Sequence, residues 1–447
     1  MFHTLTLTGP AVDKTLPLIL AVVLAFAGFL VLRRSPKLAV SVWICVLAFV
    51  PIWLGVNVGF NGNYYLPPAT AAGLLVIAAL IPLPRMRLSW LDGLLVLVVV
   101  AAICSLYTGS ASIAMSALFS IVTYYVIAYL IGRFAPMRVD ARWLHGAIAI
   151  VFTGVAVLAI IEGLTHWNPF VEIHASNAMY TIWGSIQERG GVPRAEGAFG
   201  HSIALGSSLA LAIPLTLAAP FRLWVRAGMV LLMLVGTVYT FSRIGMVCAL
   251  LGLVLSILFM RDAITKKARI TLVAAMLAVS AVVFPLVTAV FDDAGSEASD
   301  SANYRGDLVS LIGTMNPIGV ASSAEKNSAG NLYFGDFRSI DSQLILTGLT
   351  NGTIVLIGIL VALAGGIILL VRRKASPATI ALVAQIPAFA TVALITQYSI
   401  FVWFVAGLAA TTQLIPLSTA GVMLNTRAVE HPRHTRSDAR PPVRSAA

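Results

Sequence analysis

Hydrophobic residues along this chain fall in long unbroken runs, and the connections between them carry most of its charge. A bilayer core about 30 Å thick needs roughly 17–25 apolar residues to be crossed by a helix. Runs of that kind lie near residues 16–32, 38–56, 67–83, 91–107, 111–132, 144–164, 199–219, 226–241, 244–260, 270–290, 342–371, 378–396 and 398–417. The pattern predicts an all-α polytopic membrane protein with about 13 transmembrane helices, within a range of about 12–14.

Two divisions follow from length. As a single helix, the stretch 91–132 would reach roughly 63 Å, too long for one crossing. A turn is expected at Tyr107-Thr108-Gly109-Ser110. The stretch 226–260 would reach roughly 52 Å and is divided at Thr240-Phe241-Ser242-Arg243.

Charge tests the division. Alternate connections are basic: Arg33, Arg34 and Lys37; Arg85 and Arg87; Arg133, Arg138 and Arg142; Arg222 and Arg226; Arg261, Lys266, Lys267 and Arg269; Arg372, Arg373 and Lys374. With the tail, about 22 of the 29 cations fall on one side, which the positive-inside rule makes cytoplasmic. Merging 226–260 would move the 261–269 cluster to the wrong side. The expected topology has the N-terminus outside, the C-terminus in the cytoplasm, and two long outer loops at about 165–198 and 291–341. Residues 424–447 read as a basic, disordered cytoplasmic tail after a transmembrane domain at 1–423.

Composition agrees. The 447 residues are 59% hydrophobic and 11% charged, less than half the charged share of an ordinary soluble protein. The net charge of +11 therefore reads as a topology signal rather than a nucleic-acid footprint. Cys45, Cys104 and Cys248 lie inside apolar runs at no metal-ligand spacing, so a disulfide framework or zinc site is not expected. A removable signal peptide is not expected either, since the N-terminus lacks a basic region followed by a cleavage site.

Candidate chemistry gathers in the outer connections. The first loop carries Trp167, Trp183, Glu188, Arg189, Arg194 and Glu196, and enters the next span through His201. The second carries Tyr304 and Arg305 ahead of Leu308, Leu311, Ile312 and Met315, a spacing suited to a short helix on the membrane surface. It ends at Asp341. Each residue also has a plainer reading: Arg194 and Arg243 as interfacial anchors, His201 as a satisfied intramembrane polar group, Asp341 as a helix N-cap, Trp167 and Trp183 as interfacial aromatics. Together they suggest more, because ionisable groups at membrane depth are costly and tend to be functional. Guanidinium groups suit phosphate by geometry and permanent charge. Arginines, a carboxylate and aromatics at a membrane surface fit a phosphate-linked lipid that carries sugars. The sequence holds no Walker loop, no HExxH and no carboxylate pair with metal-ligand spacing, so neither a metal nor another cofactor is expected.

Arg194–Leu211 (RAEGAFGHSIALGSSLAL), Thr240–Gly245 (TFSRIG), Arg305–Gly319 (RGDLVSLIGTMNPIG) and Ile340–Gly352 (IDSQLILTGLTNG) occur in the order and approximate spacing of one family. The chain resembles the bacterial O-antigen ligase and O-antigen polymerase family of polytopic glycosyltransferases. The motifs cover about residues 190–370, and the span pattern covers the whole chain. The resemblance implies a GT-C-like, metal-independent enzyme of the bacterial cytoplasmic membrane. Its donor would be a glycan on polyprenyl diphosphate and its acceptor a second glycan. By this resemblance Arg243 and Arg305 face the donor diphosphate, and Arg194 precedes the Gly-x-Phe element. Asp341 stands where ligases usually carry a histidine, a departure that favours polymerisation of repeat units. Asp341, Arg243 and Arg305 are thus the expected catalytic residues. Arg194, His201, Tyr304 and Trp183 are the expected substrate-binding residues, and a chain-length regulator is a possible partner. The alternatives are ligase-type transfer to a lipid acceptor and, outside enzymes, a secondary transporter or lipid flippase.

Overall fold

The computed structural model describes residues 26–58, 64–82, 87–108, 111–260, 306–326 and 332–414, together with 270, 273, 274 and 304. Most of the expected span 270–290, Arg305 and the tail 424–447 lie outside the described residues. Within them four helices are long and apolar enough to cross a membrane: Trp90–Tyr107, Ala111–Arg138, Ala141–Thr165 and Thr353–Val371. Shorter apolar helices of 10–17 residues accompany them. The chain is therefore mostly helical and built for a membrane.

The helices in chain order are α1 (Pro36–Phe49), α2 (Pro68–Leu80), α3 (Trp90–Thr108), α4 (Ala111–Arg138), α5 (Ala141–Thr165), α6 (Ala178–Trp183), α7 (Ser202–Leu217), α8 (Leu223–Tyr239), α9 (Arg243–Phe259), α10 (Gln343–Asn351), α11 (Thr353–Val371), α12 (Pro377–Ala384), α13 (Ile386–Thr391) and α14 (Thr396–Leu414). Local chemistry sets many of their ends. Ser35 caps α1 by accepting the Leu38 N–H at 3.3 Å, and Pro36 occupies its first turn, where a missing N–H costs nothing. Thr240 and Phe241 separate α8 from α9, and Ser242 then caps α9 through the Gly245 N–H at 3.1 Å. The expected divisions near 107–110 and 240–243 fall at these helix ends.

Three expected spans differ from the structure. The run 38–56 is helical only to Phe49; Pro51 stops it, and a 3-10 turn (Ile52–Leu54) leads to a hairpin of β1 (Val56–Val58) and β2 (Tyr64–Leu66). The run 342–371 is two helices, because Gly352 takes φ +98 between α10 and α11. The 316–321 loop docks against that break. Thr353 N–H donates to Asn316 O at 2.9 Å, Ile354 N–H to Pro317 O at 3.1 Å, and Gly319 N–H to Asn351 O at 3.2 Å. A Cβ at Gly352 would stand 2.6 Å from Pro317 O, so only glycine admits the loop. The run 378–396 divides at Gln385 into α12 and α13, with Pro387 in the first turn of α13 and non-helical backbone from Val392 to Ile395.

At the centre lies α7, nearly all of whose side chains are buried, surrounded by α5, α8, α9, α12 and α14. Small residues permit this. A Cβ on Gly245 of α9 would lie 3.1 Å from the Gly206 backbone of α7, so the two helices cross almost in backbone contact. A second close crossing joins α4 to α14, where a Cβ on Gly132 would lie 2.0 Å from Phe404 O and one on Gly407 2.1 Å from Tyr129 O. By contrast α11 leaves Ile357, Val361, Ile368 and Val371 exposed, as a lipid-facing helix does.

Contacts gather the connections into two ends. At one, Arg133 forms a bidentate ion pair with Asp92 at 2.7 and 2.8 Å and also donates to Arg87 O and Thr411 Oγ1, both at 2.9 Å. Gln413 Nε2 donates to Lys374 O at 2.7 Å there, and Lys37 lies over the Trp143 ring. At the other end Gln397 Nε2 donates to Ala198 O at 2.7 Å and to Val50 O at 3.1 Å, while Trp53 Nε1 donates to Ile173 O at 2.8 Å. The described connections that carry Lys37, Arg87, Arg133 and Lys374 thus meet at one end, and the long 166–201 loop occupies the opposite one.

Candidate functional site

The 187–201 loop is built on a hairpin. Gly190 and Gly191 both have positive φ (54 and 72), which supplies the tight turn that joins β3 (Glu188–Arg189) to β4 (Val192–Pro193). The Arg194 N–H closes it onto Gln187 O at 2.9 Å. The loop then lies along the end of α8, where helical carbonyls are left without intrahelical donors. Ala195 N–H donates to Tyr239 O at 3.0 Å, Arg194 Nε to Thr240 O at 3.0 Å, and Arg189 Nη1 to Phe241 O at 3.1 Å. Two guanidinium groups therefore meet the negative end of the α8 dipole. Arg194 is buried by this arrangement, whereas Arg243, the first residue of α9, is exposed on the same turn.

His201 completes this group. Its Nδ1 caps α7 by accepting the Ile203 N–H at 3.1 Å, and the Arg194 charge acts on its ring. As an acceptor Nδ1 carries no proton, so the imidazole presents an Nε2–H. The Trp183 ring stands edge-on to it at 5.8 Å and 71°. Gly200, at φ +62, allows this approach, since a Cβ there would lie 2.7 Å from Trp183 O. Arg194 and Arg189 thus seat on the 240–241 carbonyls next to Arg243, while His201 and Trp183 pair with each other at the start of α7.

Beneath the loop lie two buried acids. Glu162, near the end of α5, accepts from Asn168 Nδ2 at 2.8 Å, Glu196 N–H at 3.1 Å and Gly197 N–H at 2.8 Å. Glu196 is fully buried; its Oε1 accepts the Gln187 N–H at 3.1 Å, and the Ser202 backbone N–H also acts on the carboxyl. Burial, with the Glu162 charge added, pushes the Glu196 carboxyl from 4.5 up to about 8, against the opposing pull of its hydrogen bonds and of Arg194. In the sequence Glu196 lies in the outer loop and Glu162 at the edge of the apolar run 144–164, and only the fold joins them. The usable signal was a carboxylate at the edge of an apolar run.

Tyr304 and Asp341 form a second group, and Arg305 lies outside the described residues. Tyr304 hydroxyl donates to Ser339 O, and Ser339 Oγ donates to Asp341 Oδ1 at 2.9 Å. The Tyr304 ring meets Phe337 edge-on at 5.5 Å. Burial, followed by the charge of Asp341, raises the Tyr304 hydroxyl above its ordinary value of 10. Asp341 is not the cap of α10: Ser342 takes that role through the Ile345 N–H at 3.3 Å, which leaves the Asp341 carboxylate half-buried beside Ser339. Leu308 and Leu311 bury one face of the 308–314 3-10 turn against α10, and Val309 and Ile312 are exposed on the other. The expected surface helix is thus a 3-10 turn. Both α9 and α10 pack on α13, which places the arginine group and the Asp341 group on elements that share a neighbour. Among the described residues, no three His, Cys, Asp or Glu side chains gather to hold a metal ion.

Comparison of the chain with protein-family models, with curated proteins and with solved structures gives no match.

Proposed function

We propose that the chain is a glycosyltransferase of the O-antigen ligase and polymerase type, which polymerises oligosaccharide repeats carried on polyprenyl diphosphate at the outer face of a bacterial cytoplasmic membrane. The observation that carries this reading is the seating of Arg189 and Arg194 on the carbonyls of the 240–241 turn, next to Arg243, with the His201–Trp183 pair on the same long loop at one end of an apolar bundle. A diphosphate suits guanidinium groups, and an aromatic ring suits the face of a sugar.

In this mechanism a hydroxyl of one lipid-linked glycan attacks the anomeric carbon of another. The anomeric carbon–oxygen bond breaks, and polyprenyl diphosphate leaves with the electron pair. Arg243, and Arg305 by the family resemblance, stabilise the charge that grows on the leaving phosphate. Contributions of this kind are worth about 2.7–4 kcal/mol per donor in a water-excluded site. Asp341 accepts the hydroxyl proton or orients the hydroxyl, with Ser339 holding its carboxylate. The order of events needs the Asp341 group and the arginine group to face one substrate, and their common packing on α13 supports that.

A transporter reading has one observation in its favour. Helices broken within an apolar bundle, as at Gln385 between α12 and α13, recur at transport sites. Glycan transfer is preferred because the arginines lie at an end of the bundle rather than at a break inside it. Deletion of the gene separates the enzyme readings. Single repeats left on the lipid carrier support the polymerase, and full-length polymer stranded on the carrier means a ligase. Loss of polymer with single repeats held on the cytoplasmic face of the membrane means a flippase.

A further inference from the structure

A crevice of about 270 Å³ runs between α3, α4, α10, α11, α12, α13 and α14, and none of the residues assigned above to glycan transfer lines it. Its walls are apolar and include Leu91, Leu94, Leu363, Val402 and Trp403. One mouth is formed by Ser89 and Gln413, while amide and hydroxyl groups of Gln343, Thr347 and Asn351 close the far end.

The first mouth is basic. Gln413 holds the Lys374 carbonyl, and Arg133 holds the Arg87 carbonyl, so both hydrogen bonds fix cation-bearing backbone at the rim. Arg87, Arg372, Arg373 and Lys374 are all exposed there. Asp92, three residues from Ser89 of this mouth, is engaged by Arg133, Tyr129 and the Ser89 N–H, so it does not offset the rim charge. Depth gives a second constraint. From Trp90 to Val98 along α3 the wall extends about 12 Å, and from Gln413 to Val402 along α14 about 16 Å. One leaflet of a bilayer core is about 15 Å deep.

We propose that this crevice binds an acyl chain of an anionic glycerophospholipid, with the lipid phosphate seated on the Arg87, Arg372, Arg373 and Lys374 rim. A phosphate at the basic mouth, an apolar wall of one leaflet's depth and a polar stop beyond it match such a lipid end to end. A long isoprenoid chain would overrun that stop, and a zwitterionic headgroup would leave the rim charge unanswered. The far end adjoins α10, two residues past Asp341, but the proposal does not depend on the proposed glycan transfer.

Native mass spectrometry of the full-length protein, purified in detergent and stripped of lipid, tests the proposal by titration with phosphatidylglycerol, phosphatidylcholine or a polyprenyl phosphate. A saturable single adduct with phosphatidylglycerol is expected, at least tenfold tighter than with phosphatidylcholine. The triple variant R372Q/R373Q/K374Q, altered only at exposed positions, should lose that preference. Ala362→Phe, which narrows the crevice, should lose the adduct while the rim stays intact. Equal binding of the two phospholipids, an adduct unchanged in the triple variant, or displacement by equimolar polyprenyl phosphate would overturn the proposal. Absence of any adduct from the wild-type chain would overturn it as well.

Discussion

The backbone N–H of Glu196 donates to the Glu162 carboxylate at 3.1 Å, so one buried acid holds the loop that carries another. Glu162 also accepts from Gly197 and Asn168, and Glu162→Ala would strand all three donors. Each buried donor left unpaired costs about 1–3 kcal/mol. The variant should therefore melt several degrees lower, and trypsin should cut it faster after Arg189 and Arg194. An unchanged melting curve with an uncut loop would show that the contact does not hold the loop.

Glu196 gives that loop a pH dependence. Its folded pKa is raised from 4.5 to about 8, chiefly by burial. Between those values the folded protein retains a proton that the unfolded chain releases, so stability falls as pH rises. The contribution is complete below about pH 4.5 and lost as pH passes about 8. Melting temperature measured from pH 5 to 8.5 should decline across that window in the wild type, with a flatter profile in Glu196→Gln. Parallel profiles for the two proteins would place the proton elsewhere.

Arg133 and Asp92 fix the opposite end. Arg133 is fully buried, and its guanidinium has four hydrogen bonds. Removing one partner of a buried pair costs about 3–5 kcal/mol, because the other charge is left behind. Asp92→Ala should therefore yield little monodisperse protein on size-exclusion chromatography, whereas the double replacement Asp92→Leu with Arg133→Met should recover much of it. Equal yields from the single and double variants would mean that the pair is not what stabilises this end.

How far the sequence carried the fold depended on whether the cause was local. The division at Thr240–Arg243 was legible because a helix of that length cannot fit a bilayer, and Ser242 stands ready to cap α9. The break at Gly352 was not, because its cause is the 316–321 loop folding back onto the helix from more than 30 residues away. The division at Gln385 was hidden likewise inside an unbroken apolar run. In the candidate site, Arg194, His201, Trp183 and Arg243 could be chosen as costly or interfacial residues. The seating of Arg194 and Arg189 on the carbonyls at the end of α8 rests on a hairpin turn and long-range backbone bonds that spacing does not encode. Glu162 and Glu196, 34 positions apart, show the same limit: each was visible as an acid, but their junction was not.

Glycan extension by purified protein tests the central proposal most directly. The full-length chain would be reconstituted in liposomes with an oligosaccharide repeat on polyprenyl diphosphate and no ion gradient. We expect longer glycans on the carrier, with one polyprenyl diphosphate released per linkage formed. Arg243→Lys, which keeps the charge but loses the planar fork, should work at least tenfold more slowly at equal incorporation. Movement of the lipid across the bilayer without longer glycans, or extension at the full rate by Arg243→Lys, would contradict the account.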